Sequence, residues 1–145
     1  RAFVQGEDDE RVHEAHMAAF EDAWEHAYEP FPQWHVEHLG RPGFDASLWF
    51  LAEKRGAIAG LCLCREHPSG DPAFGYVEVL GVRRAWRRQG LGLALLRHAF
   101  LTFRARGMTR AALDVDAESL TGAVRLYERA GMQVAKRSDT YEKAL

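Results

Sequence analysis

The segment from Val82 to Ala94 constrains this chain most. It reads Val-Arg-Arg-Ala-Trp-Arg-Arg-Gln-Gly-Leu-Gly-Leu-Ala. An apolar run, Gly75–Val82, precedes it and has the make-up of a buried central strand. Leu91, Leu95, Ala99, Leu101 and Phe103 follow at helical spacing, up to a stop at Gly107. A strand therefore turns through a short basic loop into a helix that opens on Gly-Leu-Gly. The first turn of a helix leaves backbone N–H groups without acceptors, and the aligned peptide dipoles place partial positive charge there. Such a junction suits a phosphate or pyrophosphate. Gly90 and Gly92 remove Cβ atoms from the approach, and Arg87 and Arg88 add charge-assisted donors.

Three other readings of the loop compete. A phosphate-binding loop of the nucleotide-hydrolase type needs Lys and then Ser or Thr after its last glycine, whereas Gly92 is followed by Leu93-Ala94. A dinucleotide fold needs a third glycine and an early repeating βαβ unit. A merely solvated basic turn at Arg83–Arg88 is the common fate of charge clusters, but the glycines at the head of a long amphipathic helix argue against it.

The 145 residues fit one domain, 1–145. Lys and Arg number 19 against 21 Asp and Glu, and this balance lacks the basic excess of a nucleic-acid binder. No apolar run is long enough to span a bilayer, so neither nucleic acid nor membrane is expected as a partner. Cys62 and Cys64 lie two apart on a probable strand, on one face. The expectation is two buried thiols in a reducing cytoplasm. His13/His16 and His35/His38 are each three apart, but neither pair makes a zinc spacing with the cysteines, so no metal is expected.

Arg1–Val4 is expected as a short edge strand, and Asp8 or Asp9 as the cap of a helix over about Glu10–Trp24. A second helix over about Gln33–Leu39 follows Pro30 and Pro32. Leu48–Ala52 and Ala57–Cys64 should form a hairpin through Lys54-Arg55-Gly56. Arg110–Val115, a helix over Leu120–Ala130, Gln133–Ala135 and Thr140–Lys143 complete the chain. The order β-α-α-β-β-β-α-β-α-β predicts an α/β domain with a mixed sheet flanked by helices.

Arg87-Arg88-Gln89-Gly90-Leu91-Gly92 resembles the Arg/Gln-x-x-Gly-x-Gly/Ala signature of the GCN5-related N-acetyltransferase (GNAT) superfamily. Ala123-Val124-Arg125-Leu126-Tyr127-Glu128-Arg129-Ala130-Gly131-Met132 resembles that superfamily's Ala-x-x-x-Tyr-x-x-x-Gly-Phe motif, with Met132 in place of Phe. The resemblance covers nearly the whole chain. Within the superfamily, Gly81-Val82-Arg83 and Leu113-Asp114-Val115-Asp116-Ala117-Glu118-Ser119 look like the C-terminal domains of the tandem mycothiol synthase-like group. The resemblance implies a GNAT fold with a mixed sheet of six to seven strands and about four helices. It also implies acetyl-CoA as co-substrate, and a second GNAT domain or a homodimer as partner. The implied reaction is acetyl transfer to the primary amine of a small-molecule or peptide acceptor. The alternative is a non-catalytic acyl-CoA-binding or scaffolding half of a tandem protein.

The same resemblance implies site roles. The pantetheine arm would lie along Leu80, Gly81 and Val82. The pyrophosphate would sit on the segment Arg87, Arg88, Gln89, Gly90, Leu91, Gly92 and Leu93. Ser119, where the family often has Asn, would contact the cofactor arm. Tyr127 would also touch the cofactor and act as general acid at the thioester sulfur. Glu78 is the expected general base, as an acidic residue inside an apolar strand. Trp24 and Tyr28, with Phe31 and Trp34, are expected at the acceptor site.

Overall fold

The computed structural model describes residues 1–22, 27–114, 122–136 and 140–145. Helices α1 (Asp9–Ala19) and α2 (Phe31–His38) come first, followed by strands β1 (Trp49–Lys54), β2 (Ala57–Glu66) and β3 (Phe74–Val82). Helix α3 (Leu91–Ala105), strand β4 (Arg110–Asp114), helix α4 (Gly122–Arg129) and strands β5 (Gln133–Lys136) and β6 (Thr140–Ala144) complete the order. The strands form one mixed sheet in the order β1-β2-β3-β4-β6-β5. Only β3 and β4 run parallel, joined through α3. No helix among the described residues is long and apolar enough to cross a membrane.

The sheet divides the core in two. Phe50, Cys62, Cys64, Val77, Ala111 and Leu113 face α3, whose Leu95, Leu96, Ala99, Phe100 and Phe103 cover them. Trp49, Leu51, Leu61, Leu63 and Val79 face α1 and α2, against Val12, Ala15 and Trp34. With both faces covered, β2 is buried over an unbroken run, which is why it reads as continuously apolar. Cys62 and Cys64 share the α3 face as free thiols, their sulfurs 3.5 Å apart. Arg55 and Gly56 both take positive φ and close the β1–β2 hairpin as a two-residue turn.

A bulge in β3 shapes the functional region. Cys64 pairs with Val77 and Leu63 with Val79, so Glu78 is an inserted residue. Val77 packs toward α3, but Val79 packs toward α1 and α2. The insertion bends the strand. Among the described residues, pairing of β3 with β4 stops at Val77 and Leu113, while β3 continues beside β2 to Val82.

Several expectations change. The edge strand over Arg1–Val4 reduces to one bridge, Ala2 to Phe50. Asp8 makes no side-chain cap for α1. Its buried carboxylate instead accepts from the Arg1 guanidinium at 2.7 and 2.9 Å and from the Val4 N–H at 2.8 Å, tying the N-terminal segment down. The last expected residues of α1, Ala23 and Trp24, lie outside the described residues, and the helix ends at Ala19. Leu101 is 67% exposed, on the outer side of α3.

Two predictions follow from this packing. A Cβ at Gly75 would sit 2.6 Å from the ring of the fully buried Phe103. Gly75→Ala is expected to cost about 1–3 kcal/mol in urea unfolding, as overpacking does. The Arg1 guanidinium holds the Asp8 carboxyl below its ordinary range. The stabilisation from Asp8 is therefore complete above the unfolded value of about 3.9 and is lost as pH falls through the lower folded value. Asp8→Asn should flatten that acid limb in thermal melts.

Candidate active site

The loop between β3 and α3 is held by one arginine. Arg87 Nε–H donates to the Val82 carbonyl at 2.9 Å, and its Nη2 donates to the Ala19 carbonyl at 2.8 Å. Asp22 accepts from the same guanidinium at 2.7 and 3.1 Å. Asp22 is held well below the usual carboxylate range, chiefly by its bond from Arg87. Arg87 is therefore a clasp between the loop and the end of α1. Its guanidinium is turned inward, not toward an incoming anion as the sequence suggests. Arg84 adds a weaker contact to Asp22 at 3.4 Å, and Arg83 lies over the Trp86 ring.

Beyond the clasp the backbone is strained. Arg88 has φ of 64° and Gly90 has φ of 82°. A left-handed arginine costs on the order of 1–3 kcal/mol, and such strain gathers at ligand-binding turns. Gly90 is the N-cap of α3 and offers no capping side chain. The N–H groups of Leu91, Gly92 and Leu93 belong to the first turn and have no intrahelical acceptor. Gln89 is exposed, and its side-chain oxygen accepts from Lys54 at 3.3 Å. The region offers converging amides and a helix dipole to an anion.

The two glycines work differently from each other. A Cβ on Gly90 would meet nothing within 4 Å, so glycine is required there by its φ. A Cβ on Gly92 would lie 3.1 Å from Leu126 Cδ2, so glycine there lets α3 approach α4. Gly81 is needed by α1, since a Cβ would lie 2.7 Å from the Phe20 ring and 3.0 Å from Ala19 Cβ.

This loop follows the end of β3. Leu80 and Tyr127 are both partly buried against the α3-side core, which places α4 on the same side of the sheet as Leu80. On the other side, Glu78 meets Arg41. The guanidinium donates to both carboxylate oxygens at 2.8 Å, and Arg65 Nε stands 3.9 Å away. The expected general base is thus engaged at both oxygens by a residue that the sequence reading did not single out. Tyr76, on the same face, donates to Asp114 at 2.9 Å. Burial, followed by that bond, pushes its phenol up to about 12.

The expected acceptor residues scatter. Trp34 is fully buried, and its indole N–H donates to His16 Nδ1 at 2.9 Å. Phe31 packs against it, so both serve the core. Tyr28 is 69% exposed, with its ring edge on His13. Trp24 and Ser119 lie outside the described residues. Glu29, Glu37 and His38, which the sequence reading did not connect, stand together, with one donor atom of each within 4.8 Å of the others.

The family model for the acetyltransferase (GNAT) family matches residues 10–132. The chain belongs to the GNAT acetyltransferase family. Its class is therefore that of an acyltransferase. It is 36% identical over 138 residues to a mycothiol acetyltransferase of Thermobispora bispora, an alignment covering 90% of this chain and 45% of that protein. A GCN5-related N-acetyltransferase structure from Sphaerobacter thermophilus matches with a TM-score of 0.80 and 38% identity, over 99% of this chain and 44% of that one. A GNAT acetyltransferase of Brucella melitensis in complex with acetyl-CoA matches in fold, with a TM-score of 0.73 and 19% identity over 100% of this chain and 86% of that chain. The chain spans a little under half the length of the mycothiol acetyltransferase it matches.

The glycine roles separate experimentally. Gly90→Ala should cost about 1–2 kcal/mol through its left-handed backbone. Asp22→Asn should leave global stability nearly unchanged but speed hydrogen exchange at the loop amides of 88–93, because it releases the clasp.

Proposed function

We propose that this domain transfers an acetyl group from acetyl-CoA to the primary amine of a small-molecule or peptide acceptor, by direct attack in a ternary complex. The observation that carries this reading is the conjunction of two features at the end of β3. The strand bulges at Glu78, and the strained loop beyond it delivers the uncapped first turn of α3. The end of β3 offers backbone groups of Leu80–Val82 to the pantetheine amides, apart from the Val82 carbonyl that Arg87 occupies, and the amides of 88–93 take the pyrophosphate. The acetyl-CoA complex of the Brucella relative supports the choice of co-substrate.

The acetyl carbonyl lies at the bulged end of β3. Its developing oxyanion takes a backbone donor in the segment Leu80–Val82. Tyr127 gives the leaving thiolate its proton. Glu78, held at both oxygens by Arg41, braces the connection after α2 against the bulge of β3. The acceptor enters from the α1–α2 side, past Tyr28. The mycothiol acetyltransferase relatives are about twice as long as this domain, which supports its reading as one half of a tandem chain.

Calorimetric titration with acetyl-CoA, CoA and ATP tests the co-substrate. Micromolar acetyl-CoA binding is expected, and it should be abolished in the Gly90→Asp/Gly92→Asp double variant, which puts two carboxylates into the anion site. Free-thiol release with glycinamide, glucosamine and putrescine then tests transfer. Tyr127→Phe should lower kcat by about 10²-fold, within the usual range for loss of a general acid, with acetyl-CoA affinity retained. Unchanged turnover in this variant would remove Tyr127 from the mechanism.

A further inference from the structure

Amine acetylation needs a group that removes a proton from the acceptor ammonium, and Glu78 is tied to Arg41. Four histidines stand on α1 and α2, and His35 Nε2 faces Asp9 at 3.6 Å. His13 Nε2 is engaged with the Glu29 carbonyl at 2.6 Å, and His16 Nδ1 accepts from Trp34. His38, the last residue of α2, differs from these three. Its side chain is 13% exposed, and its Nδ1 is buried with no hydrogen-bond partner among the described residues. Its Nε2 faces Glu29 Oε1 at 3.7 Å. Glu37, which is exposed, stands beside them, with one donor atom each of Glu29, Glu37 and His38 within 4.8 Å of the others.

We propose that His38 is the base that takes the proton of the acceptor ammonium, and that the Glu29–Glu37 carboxylate pair carries it to solvent. This rests on the acetyl-transfer reading above. The position is right for it. His38 lies close enough to feel the charges of Glu78 at the bulge and of Arg41, and its ring packs on Trp34 and His16. His16 in turn packs on Phe20, the residue that closes over Gly81. An imidazole with a carboxylate beside Nε2 carries its proton there, which leaves Nδ1 with the lone pair.

The charges around His38 suit the role. Burial lowers its basicity most, and Arg41 lowers it further, while Glu78 and Glu37 act the other way. The ring is therefore neutral at pH 7, the form a base requires. Burial, and then the neighbouring Glu37 carboxyl, pushes Glu29 up to about 7, so the two carboxyls share a proton near neutral pH. Such a pair can both receive a proton and release it.

The step balances without any further reactant. Nδ1 is closed to solvent in this structure, so the ring first turns about χ2 to present it to the acceptor; the ammonium then gives one proton to Nδ1 and becomes a neutral amine. The nitrogen lone pair forms the C–N bond, the C–S bond breaks, and the CoA sulfur leaves with the electron pair. The second proton lost by nitrogen ends on that sulfur through Tyr127. The imidazolium gives its Nε2 proton to Glu29, Glu37 hands a proton to water, and the ring, left with its proton on Nδ1, returns to the Nε2–H tautomer by exchange with water before the next turnover. One proton is released per turnover.

The test compares the fastest of the three screened amines, which is an ammonium at pH 7, with methoxyamine, which is already neutral. In His38→Gln, kcat for the ammonium acceptor should fall by about 10²–10⁴-fold. Turnover of methoxyamine and acetyl-CoA affinity should stay within about threefold of wild type, because this amine has no ammonium proton to lose before attack and its remaining proton passes to the sulfur through Tyr127. The acidic limb of the wild-type pH–rate profile should move to lower pH in Glu29→Gln, since His38 loses a neighbouring carboxylate. An equal loss for both amines, or no loss for either, overturns the assignment of His38. Independently of any variant, the ¹⁵N shifts of the His38 ring in the wild-type chain should report a neutral Nε2–H tautomer at pH 7, and an Nδ1–H tautomer overturns the proposal. A wild-type chain that binds no acetyl-CoA would instead overturn the acetyltransferase reading itself.

Discussion

The insertion of Glu78 into β3 is the constraint on which the functional region depends. With one residue more on β3 than on β2, Val77 and Val79 face opposite cores, and the strand bends. The bend sets the direction in which Leu80–Val82 and the loop after them leave the core. Its cost in lost ladder bonds is offset by the β2–β3 pairing that resumes at Leu63 and Val79 and runs to Gly60 and Val82.

The second constraint is closeness. Three glycines let elements approach beyond what a Cβ allows: Gly75 under Phe103, Gly81 under Phe20, and Gly92 beside Leu126. The result is that α1, α3 and α4 converge on the same end of β3. Arg87 then joins two of them by donating to Val82, Ala19 and Asp22 at once. A guanidinium suits this task because its planar fork serves several acceptors in fixed directions. The left-handed Arg88 and Gly90 that follow are held in place by this clasp, so the turn is set before any ligand arrives.

Charge is divided between the loop before α3 and the α1–α2 side of the sheet. The loop side offers backbone amides and a helix dipole, which act on an anion without titrating. The α1–α2 side holds the titrating groups: His38, the Glu29–Glu37 pair, and the Arg41–Glu78 pair. Separating fixed dipoles from movable protons keeps each group at its task. Burial beside aromatic rings holds His38 neutral, while its carboxylate neighbours stay within reach of water.

The elements were largely legible because their signals are local. Hairpin turn chemistry at Arg55-Gly56, the periodicity of α3 and the continuous apolar run of β2 each report their own structure. The anion-binding junction was legible for the same reason, since strand, glycines and helix are contiguous, and the family motifs span it. What Arg87, Gly92 and Gly81 do was not legible, because their partners Asp22, Leu126 and Phe20 lie far along the chain. Arg41 carried no signal of its own. Trp34 looked like a binding aromatic but is core, since nothing in a helical tryptophan tells which face it turns. The chain alone determined the class of fold and the place where an anion is held, because both follow from backbone geometry and spacing over short stretches. Only the tertiary structure decided which carboxylates are tied down and which imidazole is left with a free nitrogen, because burial and pairing are set by residues distant in sequence.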